Sequence, residues 1–379
     1  MMESKLPATG TTIFTVMSRL AIEHGAINLG QGFPGFAMDS HLIELVAEFM
    51  RKGFNQYAPM PGIADLREVI SNKILGSYGH RYQPETEITI TAGGTQALFT
   101  AITALVHQDD EVILFAPAYD CYAPAVEVNG GRCVWYEMPS PDYRVNWDHV
   151  RKLVNHKTRM ILINTPHNPT GSVFREEDLI ELEKLTRGTN IIVLSDEVYE
   201  HIIFDGQPHQ SVVRFPELAS RSLVVYSFGK TFHATGWKMG YICGPEKWMK
   251  EFRKVHQYNV FSCNTPIQYA LAAYMKDPTS YLGLSGFYQK KRDLFLKSLE
   301  GSRFKLLPSS GTYFQLLGYD LISGLKDTEF AIELTKDKKI TGIPCSVFYP
   351  DHRDNKVLRF CFAKDDEEII RAAEILKNV

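Results

Sequence analysis

A chain of 379 residues exceeds what one ordinary hydrophobic core organises and predicts two domains, or one large domain with a satellite. A hydrophobic fraction of 44% and a charged fraction of 22% suit a globular protein, and a net charge of −3 removes the electrostatic case for nucleic acid or a membrane surface as partner. The first ten residues carry no export or transit pattern, no apolar run reaches membrane-span length, and the six cysteines (Cys121, Cys133, Cys243, Cys263, Cys345, Cys361) form no C-x-x-C pair, so the expectation is a cytoplasmic protein with reduced thiols and no metal site.

In chain order, the first ~35 residues are mixed and turn-rich and read as an arm or linking segment. Helical spacing then covers Asp39–Lys52, with an Asp or Ser cap, and Ile63–Tyr78, ending before Gly79. From there short β-rich runs alternate with helical ones. The runs are 87–91, 111–116, 132–137, 159–165, 190–196, 222–228 and 240–244, with helices over Gly94–Leu105, Glu176–Leu185 and Pro245–Lys254. Continuous β-branched runs alternating with helices predict an α/β sheet, largely parallel and buried on both faces. The last third differs: a long helical region over Thr265–Leu299 precedes strand-like and helical pieces of a smaller α+β domain.

Gly30-Gln-Gly-Phe-Pro-Gly35 matches the G-x-G-x-x-G dinucleotide pattern, but its context fails. Pro34 has no N–H to offer a pyrophosphate, and Arg51 and Lys52 stand about 20 residues on, where a ribose-binding carboxylate belongs. A tight turn is the simpler reading.

Chemistry concentrates elsewhere. Lys230 follows the apolar run LVVYSF, where strand gives way to loop, beside small Gly229. Taken alone it is a solvated lysine; at the end of an α/β strand it is also suited to forming an imine with an aldehyde. Asp196 ends an apolar strand, a costly place for a carboxylate without a cationic partner. A protonated pyridine nitrogen is one such partner, and a helix N-cap role is the alternative. Asn168, before Pro169, and Tyr199 could each donate to a phenolic oxygen, or serve a turn and the core. Gly93-Gly94-Thr95 between strand and helix makes a phosphate-binding turn, which Ser227 and Lys238 could complete, or a plain strand-to-helix connection.

The ordered set GGTQAL, PAYDCY, NTPHNPTG, SDEVYEHI, SFGKTFHATGWKMGY and RFCFAK resembles the class I aminotransferase family of fold type I. Within it the likeness is to the kynurenine aminotransferase, glutamine transaminase K and bacterial methionine aminotransferase group, from about Thr11 to Lys364. The resemblance implies a large domain with a mostly parallel seven-stranded sheet between helices (40–280), a smaller α+β domain (281–379), and an arm that joins the latter (1–39). It implies pyridoxal 5'-phosphate carried as a Schiff base on Lys230, with Asp196 on the pyridine nitrogen and Asn168 and Tyr199 on the phenolic oxygen. Tyr119 stacks on the cofactor face, and Gly94, Thr95, Ser227 and Lys238 cradle the phosphate, Lys238 standing where aspartate-type members have Arg. Tyr57 reaches that phosphate from a second subunit, so the active site requires a homodimer. Arg359 takes the substrate α-carboxylate, with Gly32 adding a backbone donor and Asn168 nearby. Cis peptides are implied at Ala116–Pro117 and Asn168–Pro169.

By the same resemblance Phe14, Phe36, Tyr57 and, from the partner subunit, Phe261 line the side-chain pocket. Their aromatic character favours methionine, aromatic amino acids or glutamine. Ser262 replaces the His of kynurenine-processing members, which argues against kynurenine. The expected activity is transfer of an amino group from an L-amino acid to a 2-oxo acid by a ping-pong mechanism. A cysteine-conjugate or cystathionine β-lyase on the same scaffold is the alternative. A regulator that fuses this scaffold to a DNA-binding domain would need a basic helix-turn-helix region, which the short arm does not provide.

Overall fold

The computed structural model describes residues 4–7 and 9–379. Seven strands lie side by side in the order Ile88–Thr91, Gly240–Cys243, Ser222–Ser227, Ile192–Asp196, Thr158–Asn164, Glu111–Ala116 and Arg132–Glu137. Gly240–Cys243 runs antiparallel to both neighbours, and the other pairings are parallel. Each coincides with one of the β-rich runs of the sequence. Because side chains alternate along a strand, Val112, Leu114, Leu162, Leu194 and Ile242 pack against Leu98, Met249 and Phe252 on one face. Ile113, Phe115, Ile161, Ile163 and Val193 pack with Leu179 and Leu182 on the other. Two buried faces are the reason these strands read as continuous apolar runs.

A second, antiparallel sheet holds Ile343–Pro344, Val357–Cys361, Phe314–Gly318 and Lys305–Leu306 in that order. The N-terminal segment joins this part of the chain, since Ile27–Asn28 pairs in parallel with Ile340–Thr341. The Ala116–Pro117 and Asn168–Pro169 bonds are cis, as are Ser140–Pro141 and Thr165–Pro166. All six cysteines are free. Among the described residues no helix is long and apolar enough to cross a membrane.

Two expectations need correction. The N-terminal arm is not irregular: Ile13–His24 is a helix, capped by the Thr12 side chain and closed by left-handed Gly25. It buries Met17 and Ala21 and leaves Ile22 exposed, so its apolar stripe is too narrow to stand out in the sequence. The region Thr265–Leu299 is not one long helix but three, Thr265–Tyr274, Thr279–Leu282 and Leu284–Ser298. Pro278 cannot continue the first, and Gly283 separates the other two.

The sheet delivers its strand ends to one place. Gly240 pairs with both Thr91 and Ser227, which brings the turn after Thr91 beside the turn after Ser227. A Cβ on Gly240 would lie 2.7 Å from the Tyr226 carbonyl oxygen and 3.0 Å from the Gly93 carbonyl carbon, so only glycine allows this approach. Backbone cannot yield as a flexible side chain can. Gly240→Ala is therefore expected to destabilise the protein by about 1–3 kcal/mol, read as a lowered urea midpoint with unchanged slope.

Candidate active site

A cavity of about 450 Å³ opens across the carboxyl ends of the parallel strands, within the range of small-molecule sites. Asn164, Asp196 and Ser227 reach it as the last residues of their strands, and Gly93, Gly94 and Thr95 from the turn after Ile88–Thr91. Phe14, Gln31, Gly32 and Phe33 enter from the N-terminal segment, and Phe314 and Arg359 from the second sheet. Tyr119, Asn168, Tyr199, Lys230 and Lys238 complete the set of expected residues at this cavity.

At its base Asp196 is 4% exposed and has no ion-pair partner among the described residues. Burial is the largest influence on it and pushes its carboxyl up to about 6, against the Tyr122 hydroxyl and the Val198 N–H, which favour the ionised form. Tyr122 donates to Oδ2 at 2.6 Å, and the Asn164 side chain donates to the Asp196 carbonyl at 2.9 Å. Asn164 also accepts from the Asn168 N–H at 2.8 Å, so one amide positions two site residues. A buried carboxylate held only by neutral donors at a cavity wall has room for a cation.

Gly93 adopts φ 83° ahead of the helix Gly94–Leu105, which has no side-chain cap. Lys238, itself left-handed at φ 53°, sets its ammonium against Gly93: a Cβ there would lie 3.5 Å from Nζ. No carboxylate neutralises Lys238 among the described residues. A helix N-terminus, a glycine turn and a lysine without a carboxylate partner are the elements from which an anion site can be built.

Lys230 sits in the single helical turn Phe228–Thr231, directly after the strand. Its Nζ donates to the Tyr313 hydroxyl at 2.9 Å and to the Gly32 carbonyl at 3.3 Å, while Tyr313 donates to that carbonyl at 2.6 Å. Burial pulls the ammonium down to about 8, with Arg359 and Lys238 adding to the effect and Asp196 opposing it. Deprotonation near neutral pH is what an amine nucleophile and base needs.

Arg359 is 1% exposed. Its guanidinium donates to the Asn168 side-chain oxygen at 2.7 Å and to the Gly30 carbonyl at 3.1 Å, and it lies 3.9 Å from the Phe314 ring centroid. Among the described residues Nε has no hydrogen-bond partner and no carboxylate forms an ion pair with the group. Phe14 lies at 5.2 Å from the same guanidinium. The Gly30–Gly35 turn thus serves this cation, and Gly32 must be glycine because a Cβ would lie 2.7 Å from the Phe314 ring.

Three expected residues lie away from the cavity. Phe36 is a correction: after the Pro34-Gly35 turn, where the Gly35 N–H binds the Ala363 carbonyl, its ring packs edge-on against His233 at 4.8 Å and Phe287 at 5.2 Å. Phe33 takes the wall position instead. Tyr57 and Phe261 form an edge-on pair on the surface, 81% and 43% exposed, away from this chain's own cavity. Tyr313, Tyr122, Asn164 and Phe33 escaped the sequence reading. Tyr122 and Asn164 stand inside motifs that were recognised, whereas nothing local marks Tyr313.

Residues 24–376 match the family model for aminotransferase class I and II. The chain belongs to that family. This aminotransferase is 47% identical to the methionine aminotransferase of Escherichia coli over 100% of its own length and 98% of that protein's. It is 33% identical to human kynurenine–oxoglutarate transaminase 1, covering 95% of this chain and 94% of the other. A solved Escherichia coli structure, described as that of a protein with methionine aminotransferase function, covers 100% of both chains with a TM-score of 0.98.

The Asp196 environment gives the aminotransferase a pH signature without ligand. Its folded carboxyl titrates near 6, above its unfolded range, so stability associated with the bound proton is present below about pH 4 and lost as pH rises through 6. In ligand-free protein Asp196→Asn is expected to be more stable than wild type at pH 8, by up to about 3 kcal/mol, with the advantage shrinking from pH 6 to 4. Urea titrations at pH 4.5 and 8 measure it.

Proposed function

We propose that this enzyme is a pyridoxal-phosphate-dependent aminotransferase whose donors are L-amino acids with unbranched apolar or aromatic side chains, methionine foremost, with glutamine accepted. The observation that carries the reading is Arg359, a buried guanidinium with no carboxylate partner among the described residues, facing the same cavity as Lys230 and Asp196. Arg presents a planar fork suited to a carboxylate, which is the group every α-amino acid and 2-oxo acid shares. The cofactor fits the remaining features. Asp196 would hold its ring nitrogen, Asn168 and Tyr199 its phenolic oxygen, Tyr119 one ring face, and Gly94, Thr95, Ser227 and Lys238 its phosphate.

When bound, pyridoxal phosphate supplies a conjugated ring that takes up the electron pair left as the substrate Cα loses its proton. The protein supplies the rest. Arg359, Asn168 and the Gly32 N–H orient the α-carboxylate. Lys230 Nζ, whose ammonium burial pulls down to about 8, takes the proton from Cα and returns it elsewhere in the same half-reaction. The amino group stays behind and a second 2-oxo acid collects it, which makes the overall reaction ping-pong.

Phe14 and Phe314 beside Arg359, and Phe33 elsewhere on the wall, give the cavity its aromatic character. Among the described residues no cationic side chain other than Arg359, Lys230 and Lys238 lines the cavity, so none of them matches a second substrate carboxylate. The exposed Tyr57–Phe261 pair supports a homodimer in which each copy completes the other's cavity. The Ser262 hydroxyl, bound to the Ala58 carbonyl at 3.0 Å, and the Thr265 hydroxyl, bound to the Gln56 carbonyl at 2.6 Å, brace that pair. The six free thiols fit a cytoplasmic setting.

Profiling amino donors against a panel of 2-oxo acids tests the substrate reading. Methionine, phenylalanine, tyrosine, tryptophan and glutamine are expected to exceed aspartate in kcat/KM, and product formation is expected to require an acceptor. Aspartate as best donor would sink the pocket reading, and ammonia release without acceptor would favour a β-lyase. Arg359→Lys is expected to raise KM for the donor by about 10–100-fold, the loss of a charge-assisted contact.

A further inference from the structure

We infer that Tyr313 is a positioning residue for Lys230: its hydroxyl and the Gly32 carbonyl take up the amine's N–H bonds, so that the nitrogen lone pair faces the cavity. The inference rests on the proposal above that Lys230 moves the Cα proton. Tyr313 has one hydroxyl proton, and the 2.6 Å contact commits it to the Gly32 carbonyl oxygen. Toward Lys230 the oxygen can therefore only accept, at 2.9 Å, and Gly32 offers a second acceptor to the same nitrogen at 3.3 Å. A neutral primary amine has two N–H bonds and one lone pair. With both N–H bonds drawn to these neighbouring oxygens, the lone pair is left to point elsewhere.

The device joins three distant parts of the chain at one atom. Lys230 follows a strand of the seven-stranded sheet, Tyr313 immediately precedes the Phe314–Gly318 strand of the second sheet, and Gly32 belongs to the N-terminal segment. Tyr313 is 0% exposed, and its ring lies edge-on to Tyr199 at 5.2 Å and 5.8 Å from Tyr288. The backbone before it is tightly constrained. Thr312, a β-branched residue, is left-handed at φ 64°, and its N–H donates to the Ile202 carbonyl at 2.9 Å. A Cβ on Gly311 would lie 2.9 Å from that same carbonyl oxygen. Such conformations persist where the surroundings over-determine them, and here they aim one hydroxyl. A lysine on a flexible four-carbon stem gains most from being aimed, because a small misplacement of a reacting atom costs rate.

Tyr313→Phe deletes only the hydroxyl and tests the assignment. The expected result is a kcat lowered tenfold or more with donor KM within twofold of wild type, and a larger kinetic isotope effect with Cα-deuterated donor, because proton transfer becomes the slow step. In cofactor-free protein the pH midpoint for acylation of Lys230 by acetic anhydride, read by peptide mass spectrometry, is expected to fall, since the ammonium loses an acceptor. Wild-type kcat, isotope effect and labelling midpoint would overturn the inference. So would a kcat loss matched by loss of folded protein with the isotope effect unchanged, the mark of a structural role alone. If Y313F does not fold, 4-aminophenylalanine at position 313 keeps a donor to the Gly32 carbonyl while its aniline nitrogen is a poor acceptor for Lys230, and the same kcat and isotope changes are expected. Lys230→Ala separates the two levels: an active K230A enzyme removes the underlying reading, whereas inactive K230A beside an unaltered Y313F removes only the role of Tyr313.

Discussion

Uncompensated buried charge is the constraint around which this molecule is arranged. Removing an ion from water costs several kcal/mol unless a partner replaces the lost solvation, and the protein meets that requirement where the charge is structural. Lys73 and Glu200 are an example: both are buried, they pair with each other, and Tyr78 and Tyr241 bond to the pair. Asp196 and Arg359 are as deeply buried and, among the described residues, receive only neutral partners. Each faces the same cavity, one as an anion and one as a cation, so the site is complementary to a ligand that carries both signs in a set order.

The sheet makes that arrangement possible. Parallel strands bring Asn164, Asp196 and Ser227 to one edge, and the antiparallel insertion of Gly240–Cys243 docks the glycine turn against that edge. The second sheet contributes Arg359 and Phe314, and the N-terminal segment passes between the two with Gly30 and Gly32. Neither sheet alone holds the cavity. The buried guanidinium of Arg359 and the buried amine of Lys230 therefore come from parts of the chain that pack together only in the folded protein.

Much of this was legible because it is local. Strand–turn–helix transitions at Thr91–Gly94 and Ser227–Lys230 announce themselves by β-branched runs ending in glycine, and a polar residue closing an apolar strand, as at Asp196, stands out by its cost. The helix Ile13–His24 did not, because it buries only a narrow stripe, and Thr265–Leu299 read as one helix because Pro278 and Gly283 interrupt an otherwise continuous spacing. Phe36 and Phe33 differ by three positions along a turn-rich segment, where no periodicity says which ring turns inward.

By itself the sequence determined the class of sheet, the family, and the identity of the groups that carry charge: Lys230, Asp196, Lys238 and Arg359 stand in motifs that short-range pattern defines. Only the tertiary structure decided what holds those groups. Tyr122 beneath Asp196, Asn164 between Asp196 and Asn168, and Tyr313 bridging Lys230 to Gly32 are contacts across 74, 32, 83 and 281 residues of chain. Hydrogen bonds at such separations depend on how the sheets pack, and no pattern of neighbours along the chain encodes them.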